Sequence, residues 1–513
     1  MSRIRSLTAL ATLAPGEHET ATVRAPFTGE VLAELPHAGP ADLDHAVGIA
    51  RAAQAEWQSV AIKRRSDVIR RFRGLLLDRS DEILDILQLE TGKARVHAFE
   101  ELVDVALVSA YYCRAAPKLL EPRRRRGAVP GFTRTAELRH PRGVVGVIAP
   151  WNYPLVLAIS DSLPALLAGN SVIVKPDIQT THTALAALDL LLEAGLPAGV
   201  FQVLPGDGPV AGGGLVDRVD YVSFTGSTAT GRLVAQKAAA RLVEFSLELG
   251  GKNPMIVRAD ADLERAVAGA VRGSFSNAGQ LCIATERIYV HESVFEPFLE
   301  SFAASTRQLK LGAGLDFEAD VGCMTYGHQL KKVEDHVQDA VAHGAIVHAG
   351  GKPRPDIGPL FYEPTVLTGV TPKMTLYADE TFGPVVAVAP YESDQEAIGL
   401  ANATCYGLNA SVWTRDKRAG LRMADRIEAG VVNVNEAYAA TWGSVDATLG
   451  GRKASGSGHR HGAEGLLKFT ESQTVAIQRG HPLELPAAWL RGSRARSAVI
   501  KVLRCFRPGS SGR

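Results

Sequence analysis

The chain has 513 residues, 46% hydrophobic and 22% charged, which is room for two or three globular domains and too apolar for a largely disordered chain. Its 56 Lys and Arg against 55 Asp and Glu give a formal charge of +1, so the broad basic excess of a nucleic-acid-binding surface is missing and no nucleic-acid partner is expected. The balance is uneven along the chain, because residues 480–513 hold seven Arg or Lys and one Glu.

The amino-terminal MSRIRSLTALATLAPGEHETATVR is a poor signal peptide, and no stretch approaches the roughly 20 apolar residues that cross a bilayer. From Ala41 to Ala116 three amphipathic helical runs are predicted, two of them opened by Asp as a cap. EPRRRRGAVPGF breaks that pattern, with Arg123–Arg126 read as a solvated run. TRTAELRH then alternates like an exposed strand and PRGVVGVIAP reads as a buried one. Between Val144 and Gly250, short apolar runs alternate with Ala- and Leu-rich helical stretches, the signature of βαβ units in a doubly wound parallel sheet. From Gly251 the alternation resumes through KNPMIVRAD, ERIYVHES, VVAVAPYES, NASVWTRD and AGVVNVNE, which implies a second α/β domain. KFTESQTVAIQ near the end alternates again and is able to pair with TRTAELRH.

Five cysteines, Cys113, Cys282, Cys323, Cys405 and Cys505, are scattered without a C-x-x-C pair. Neither a disulfide framework nor a zinc site follows, and reduced cytoplasmic thiols are expected. Cys282, in FSNAGQLCIATERIYV, is either a buried structural thiol or a nucleophile; the second role needs a base and an oxyanion site. Glu248, in EFSLELGGKNPMIV, has an apolar setting that raises a carboxyl pKa toward the range of a general base; the alternative is an ordinary carboxylate paired with Lys252. Asn152, held between Pro150 and Pro154, is either an oxyanion donor or a turn residue capping the next helix.

The cofactor signals are unequal. GDGPVAGGG at 206–214 is a loose Gly-rich loop, whereas VDYVSFTGSTATG runs a strand into Gly226 and Ser227 and then a helix, whose first amides suit a pyrophosphate. Lys175 closes the strand NSVIVKP at the end where parallel sheets bind nucleotides.

PWNYP, GNSVIVKP, FTGSTATG, LELGGKNP, GQLC, ETFGPV, YGLNASV and GGRKASGSG occur in the order and approximate spacing of the aldehyde dehydrogenase superfamily, which the chain resembles over roughly residues 20–480. KPDIQT, PDIGPLFYEPTVL and RHGAEGLLKFTESQT are most similar to actinobacterial succinate-semialdehyde dehydrogenases of the NADP type. The resemblance implies an α/β fold of that family: a Rossmann-type cofactor domain (1–118 with 142–250), a catalytic domain (251–462), a β oligomerisation arm (119–141 with 463–480) and a basic tail (481–513). It implies Cys282 as nucleophile, Glu248 as base and Asn152 as oxyanion donor. Trp151, Lys175 and Ser227 would hold the adenosine and phosphate half of the cofactor, and Glu380 and Phe382 the nicotinamide ribose and ring. A homodimer or homotetramer would follow from the arm.

Retention of Cys282, Glu248 and Asn152 argues against a non-catalytic family member, and Glu248 argues for hydrolysis over transfer to coenzyme A. Ile178 stands where NAD-preferring relatives commonly place Glu, so NADP is expected to be used well, with NAD possible. The pocket positions at which familiar succinate-semialdehyde dehydrogenases carry Arg read as Ser160 and Ser276, with Arg452 or Arg460 as substitutes. Succinate semialdehyde is the first expectation and a neutral aliphatic or aromatic aldehyde the second. In the tail, Trp489, Val499, Ile500, Leu503 and Phe506 fall on one helical side, with Arg494, Lys501 and Arg504 on another. That pattern suits an anionic lipid surface, but Arg496 interrupts the apolar side, and a frayed or packed basic terminus is the stronger expectation.

Overall fold

Strands that are apolar at every position need cover on both faces, and helices supply it here. Val144–Ile148 and Ser171–Lys175 are buried throughout. They belong to a six-stranded sheet with the spatial order Phe201–Val203, Ser171–Lys175, Val144–Ile148, Tyr221–Thr225, Glu244–Glu248, Gly456–Ser457. Neighbours are parallel except at the last edge, where Gly456 lies opposite Glu248 in antiparallel register. The chain fills one side of Val144–Ile148 and then crosses to the other, so strand order reverses beside Tyr221–Thr225. Ligands of doubly wound sheets bind at the carboxyl ends of the strands flanking such a reversal. These features come from a computed structural model that describes residues 2–128, 131–479 and 491–505.

A second sheet of seven strands has the order Ile346–Ala349, Thr365–Thr368, Val385–Tyr391, Thr285–His291, Asn253–Val257, Asn409–Trp413, Val431–Val434. It is parallel except for its first pair. The five strands predicted after Gly251 are all present; Ile346–Ala349 and Thr365–Thr368 join them at one edge. The fold is that of a Rossmann-type sheet joined to a second α/β sheet.

The helical region holds four helices rather than three: Pro40–Trp57, Ile62–Asp78, Ser80–Thr91 and Arg95–Leu119. The long second run breaks at Arg79, whose φ of −107° and ψ of 28° leave the helix, and Asp81 and Glu82 fill the first turn of the next one. No Asp is the terminal cap of the first helix. Asp42 sits in its first turn and accepts from the Gly39 amide at 2.7 Å. The amino terminus also holds a short helix, Ser2–Thr8, whose Ile4 and Leu7 are buried, and a hairpin of Thr20–Arg24 with Val31–Pro36.

The described chain divides into two compact units, Met1–Leu120 with His140–Glu471, and Glu121–Arg139 with Ser472–Arg513. Thr470–Gln478, Thr133–Pro141 and Arg123–Arg125 form a three-stranded sheet in that order, so KFTESQTVAIQ and TRTAELRH are neighbours. The arginine run is exposed as expected, but as an edge strand rather than a break: Arg124 lies opposite Ala136, and Arg125 ion-pairs with Glu137 at 2.8 Å. Ser493–Cys505 is a helix with Ile500 exposed; Trp489 and Phe506 lie outside the described residues. Among the described residues no helix is long and apolar enough to cross a membrane.

Candidate active site

Cys282 stands three residues before the strand Thr285–His291, at the amino end of the second sheet. The approach is a strained turn: Asn277, Ala278 and Gly279 have φ of 51°, 53° and 68°. Two non-glycine residues in the left-handed region are costly, so the surroundings must fix them. Asn277 donates to the carbonyls of Asn152 (3.0 Å) and Gln280 (3.1 Å). Gln280 in turn donates to Asn277 and Cys323 carbonyls and accepts from the Thr325 amide. A Cβ at Gly279 would stand 2.1 Å from the Gly383 carbonyl oxygen, which explains the glycine of GQLC. The Cys282 carbonyl accepts from Asn253 at 2.8 Å. Although the residue is partly open to the cleft, burial of its surroundings pushes the thiol up to about 12; Arg460 opposes the shift and Glu248 and Glu380 add to it.

Glu248 ends the strand Glu244–Glu248 in the first sheet. It does not pair with Lys252, which is bound to Glu286. Its Oε1 is buried without a hydrogen-bond partner among the described residues, and burial lifts its pKa to about 7, against the charges of Arg460 and Lys468. Asn152 is not a helix cap either, since Pro154–Ile159 begins after Tyr153 with no side-chain cap. The Asn152 amide donates one N–H to the Gln280 carbonyl at 3.0 Å, and an amide carries two.

Cys282, Glu248 and Asn152 line one cleft of about 690 Å³ together with Trp151, Gly226, Ser227, Glu380 and Phe382. Trp151 meets Phe382 edge to face at 5.6 Å. The Thr381 and Phe382 amides both donate to Glu286, which fixes Phe382 at a φ of 55°. Glu380 accepts from the Gly251 amide at 2.7 Å; burial and the nearby Glu286 raise it to about 7. Ser227 caps the helix Thr228–Ala240 by accepting from Thr230.

Lys175 and Ile178 do not line this cleft. Lys175 is 5% exposed at the end of its strand, and among the described residues no ion pair holds its ammonium. Burial lowers its pKa, opposed by Asp177 and Asp207. The Gly-rich loop passes beside it, a Cβ at Gly212 falling 3.9 Å from Lys175 Cδ. Ile178 packs against the cluster of Val23, Ala25, Leu32 and Leu35. Asp177 is occupied locally, accepting from the Gln179 amide at 3.0 Å and from the Tyr326 hydroxyl. An unpaired buried cation, a helix amino terminus and an aromatic-walled cleft at the strand reversal fit a phosphorylated dinucleotide.

Leu281 and Ile283, on either side of Cys282, line a second pocket of about 680 Å³. Sequence reading passed over its polar residues, Glu100, Asp104 and Arg272. Ser160 donates to Asp104 at 2.6 Å, and Ser276 donates to the Arg272 carbonyl while accepting from Tyr438 at 2.9 Å. Neither serine therefore has a free hydroxyl hydrogen. Arg460 is bound to Asp161 at 2.6 Å, and Arg452 is exposed on a strand paired with Tyr406 and Gly407, so neither lines this pocket. Another pair missed from sequence, buried Lys93 and Glu101, ties the Asn152 carbonyl to the Leu155 and Val156 amides.

The aldehyde dehydrogenase family model matches residues 13–475. The chain belongs to the aldehyde dehydrogenase family. It is 50% identical over 503 residues to a Mycolicibacterium smegmatis protein named "Putative succinate-semialdehyde dehydrogenase [NADP(+)]", covering 98% of this chain and 97% of that one. A Mycobacterium tuberculosis protein named "Putative succinate-semialdehyde dehydrogenase [NADP(+)] 2" is 50% identical over 484 residues, 94% and 93% of the two chains. Among solved aldehyde dehydrogenases, betaine aldehyde dehydrogenase from Staphylococcus aureus in complex with NAD+ superposes with a TM-score of 0.87 at 32% identity, covering 94% of this chain and 98% of its own.

Proposed function

We propose that the protein oxidises an aldehyde to its carboxylic acid with NADP, with Cys282, Glu248 and Asn152 carrying the chemistry. The observation that supports this most is that Cys282 lines the same cleft as Glu248, whose Oε1 has no hydrogen-bond partner among the described residues, while the neighbours of Cys282, Leu281 and Ile283, line a second pocket. Cys282 Sγ attacks the carbonyl carbon as Glu248 takes the thiol proton, directly or through water. The second N–H of Asn152 and the Cys282 amide hold the oxyanion. The dinucleotide, when bound, supplies the hydride acceptor. Once hydride has left the carbon, a thioester remains on Sγ. Glu248 gives the thiol proton up to solvent and, ionised again, takes a proton from water, whose oxygen bonds to the thioester carbon. The C–S bond breaks, its electron pair returns to Sγ, Glu248 hands its proton back to the thiolate, and the acid departs. Trp151, Phe382, Glu380, Gly226 and Ser227 would hold the cofactor in the cleft, with Lys175 toward its phosphate end.

Succinate semialdehyde, giving succinate, is the substrate supported by the two relatives that share half of this sequence. A second reading, an aldehyde without a carboxylate, is favoured by the engagement of Ser160 and Ser276 inside the protein. The kcat/KM values for succinate semialdehyde, butanal and benzaldehyde decide between them, with Cys282→Ala as the inactive reference. A neutral aldehyde turned over tenfold better, about 1.4 kcal/mol at the transition state, would end the semialdehyde assignment.

The arm sheet supports a homodimer or homotetramer: Thr470–Gln478 is exposed along most of its length, including Val475 and Ile477. A monomer in sedimentation equilibrium would remove that proposal. The free thiols of Cys113, Cys282, Cys323 and Cys405 fit a cytoplasmic protein.

A further inference from the structure

The pocket beside Leu281 and Ile283 is mostly apolar, walled by Phe99, Val103, Leu107, Val156 and Trp442. Its charges are distributed unequally. Glu100 is met by Arg272 at 3.2 Å, and Arg272 has Glu436 as a second carboxylate at 3.9 Å; the Tyr438 oxygen also lies 3.3 Å from Glu100, its one hydrogen being shared between Glu100 and the nearer Ser276. The guanidinium that lines the pocket, Arg272, is thus already compensated. Asp104 is different: it is 3% exposed, its Oδ2 takes the hydrogen of Ser160, and its Oδ1 has no partner among the described residues. A buried acceptor left unsatisfied costs about 1–3 kcal/mol, more for a charged group, so it marks a place where a donor is missing. Burial also lifts this carboxyl to about 6, which still leaves it mainly ionised at neutral pH.

We propose that Asp104 is the specificity-determining residue of this pocket: its carboxylate accepts a hydrogen bond from a donor at the far end of the aldehyde, hydroxyl or ammonium, and disfavours a carboxylate there. The inference rests on Cys282 being the reacting centre, and it takes the second substrate reading, an aldehyde without a carboxylate, against succinate semialdehyde. A carboxylate tail would bring a second anion to Asp104 with no uncompensated cation among the described residues of the pocket, whereas a donor tail fills the open Oδ1 valence.

Four aldehydes of four carbons differ only in the tail: butanal, 4-hydroxybutanal, 4-aminobutanal and succinate semialdehyde. With the wild-type enzyme and NADP, at least one donor-tailed aldehyde is expected to exceed succinate semialdehyde tenfold or more in kcat/KM at pH 7.5; which one does so separates a neutral donor from a cationic one. In Asp104→Asn, the ratio of that substrate to butanal should fall at least fivefold and the ratio of succinate semialdehyde to butanal rise at least fivefold. The inference is overturned if both ratios stay within twofold of wild type, or if wild type prefers succinate semialdehyde to both donor-tailed aldehydes. The wild-type ranking carries this test even if the variant does not fold. Failure of all four aldehydes would instead overturn the reading of Cys282, and the inference with it.

Discussion

Arg460 reaches Asp161 across 299 residues of sequence, Nη2 to Oδ2 at 2.6 Å, with both side chains 5% exposed. Lys468 stands 3.6 Å from the same carboxylate, so one anion serves a buried guanidinium and a partly buried ammonium. Burial alone would raise the Asp161 carboxyl; Arg460 and Lys468 outweigh it and bring the pKa down to about 2. Asp161→Asn would leave both cations without their carboxylate, and removing one partner of a buried pair costs about 3–5 kcal/mol. A drop of several degrees in the thermal midpoint is expected. Asp161 also raises the pKa of Glu248 while the two cations lower it, so the acid limb of the pH–kcat profile should move to lower pH in the variant. An unchanged limb would show that the cluster does not act on Glu248.

The same carboxyl sets the acid side of the wild-type profile. Glu248 must be ionised to take a proton from water, and burial places its pKa near 7. Activity should therefore rise as pH passes upward through about 7. Glu248→Gln should lose this limb, together with roughly 10²–10⁴-fold in kcat, the usual span of general-base assistance. Steady-state rates from pH 5.5 to 9 check both points.

Glu248 also has a cost in stability, with a defined sign. Its folded pKa of about 7 lies above the ordinary glutamate value of 4.5, so the folded protein holds the proton more tightly than the unfolded chain. Below about 4.5 both states are protonated and there is no penalty; the penalty grows as pH rises from there and is full above about 7. A shift of that size corresponds to about 3 kcal/mol. Glu248→Gln should accordingly melt higher than wild type at pH 8, and the gap should close toward pH 4.5. Equal midpoints at pH 8 would mean that the buried carboxylate has found compensation in water or a neighbour.

Cys282, Glu248 and Asn152 were singled out through the motifs around them: Cys282 and Asn152 lie in turns marked by Gly279 and Pro154, while Glu248 ends a strand just before Gly250 and Gly251. The parallel sheets were legible in their strands: Val144–Ile148 and Ser171–Lys175 are apolar at nearly every position, as strands covered on both faces must be. The break at Arg79 was hidden because amphipathic spacing continues through it, and the edge strand Ile346–Ala349 because half of it faces solvent. Glu100 and Asp104 looked like ordinary helix carboxylates. Only the packing of Arg95–Leu119 against residues far along the chain, Ser160, Arg272 and Tyr438, gives the two different partners and different chemistry.

The proposed use of NADP places two roles on Lys175 and Ile178, one a charge that could meet a phosphate and the other the lack of an acceptor. Ile178 packs into the cluster beneath the amino-terminal hairpin and has no oxygen with which to accept a ribose hydroxyl. Asp177, the nearest carboxylate in sequence, is already held by the Gln179 amide and the Tyr326 hydroxyl. Lys175 remains as the buried cation with no ion pair among the described residues, and a 2′-phosphate would satisfy it where a 2′-hydroxyl would not. A charge-assisted contact of this kind is worth roughly 1.5–3 kcal/mol, about ten- to a hundredfold in affinity. Lys175→Met should therefore raise the Kd for NADPH at least tenfold, measured by nicotinamide fluorescence, while changing that for NADH by less than threefold. Equal losses for the two nucleotides would assign Lys175 to the part of the cofactor they share, and the preference for NADP would need another residue to explain it.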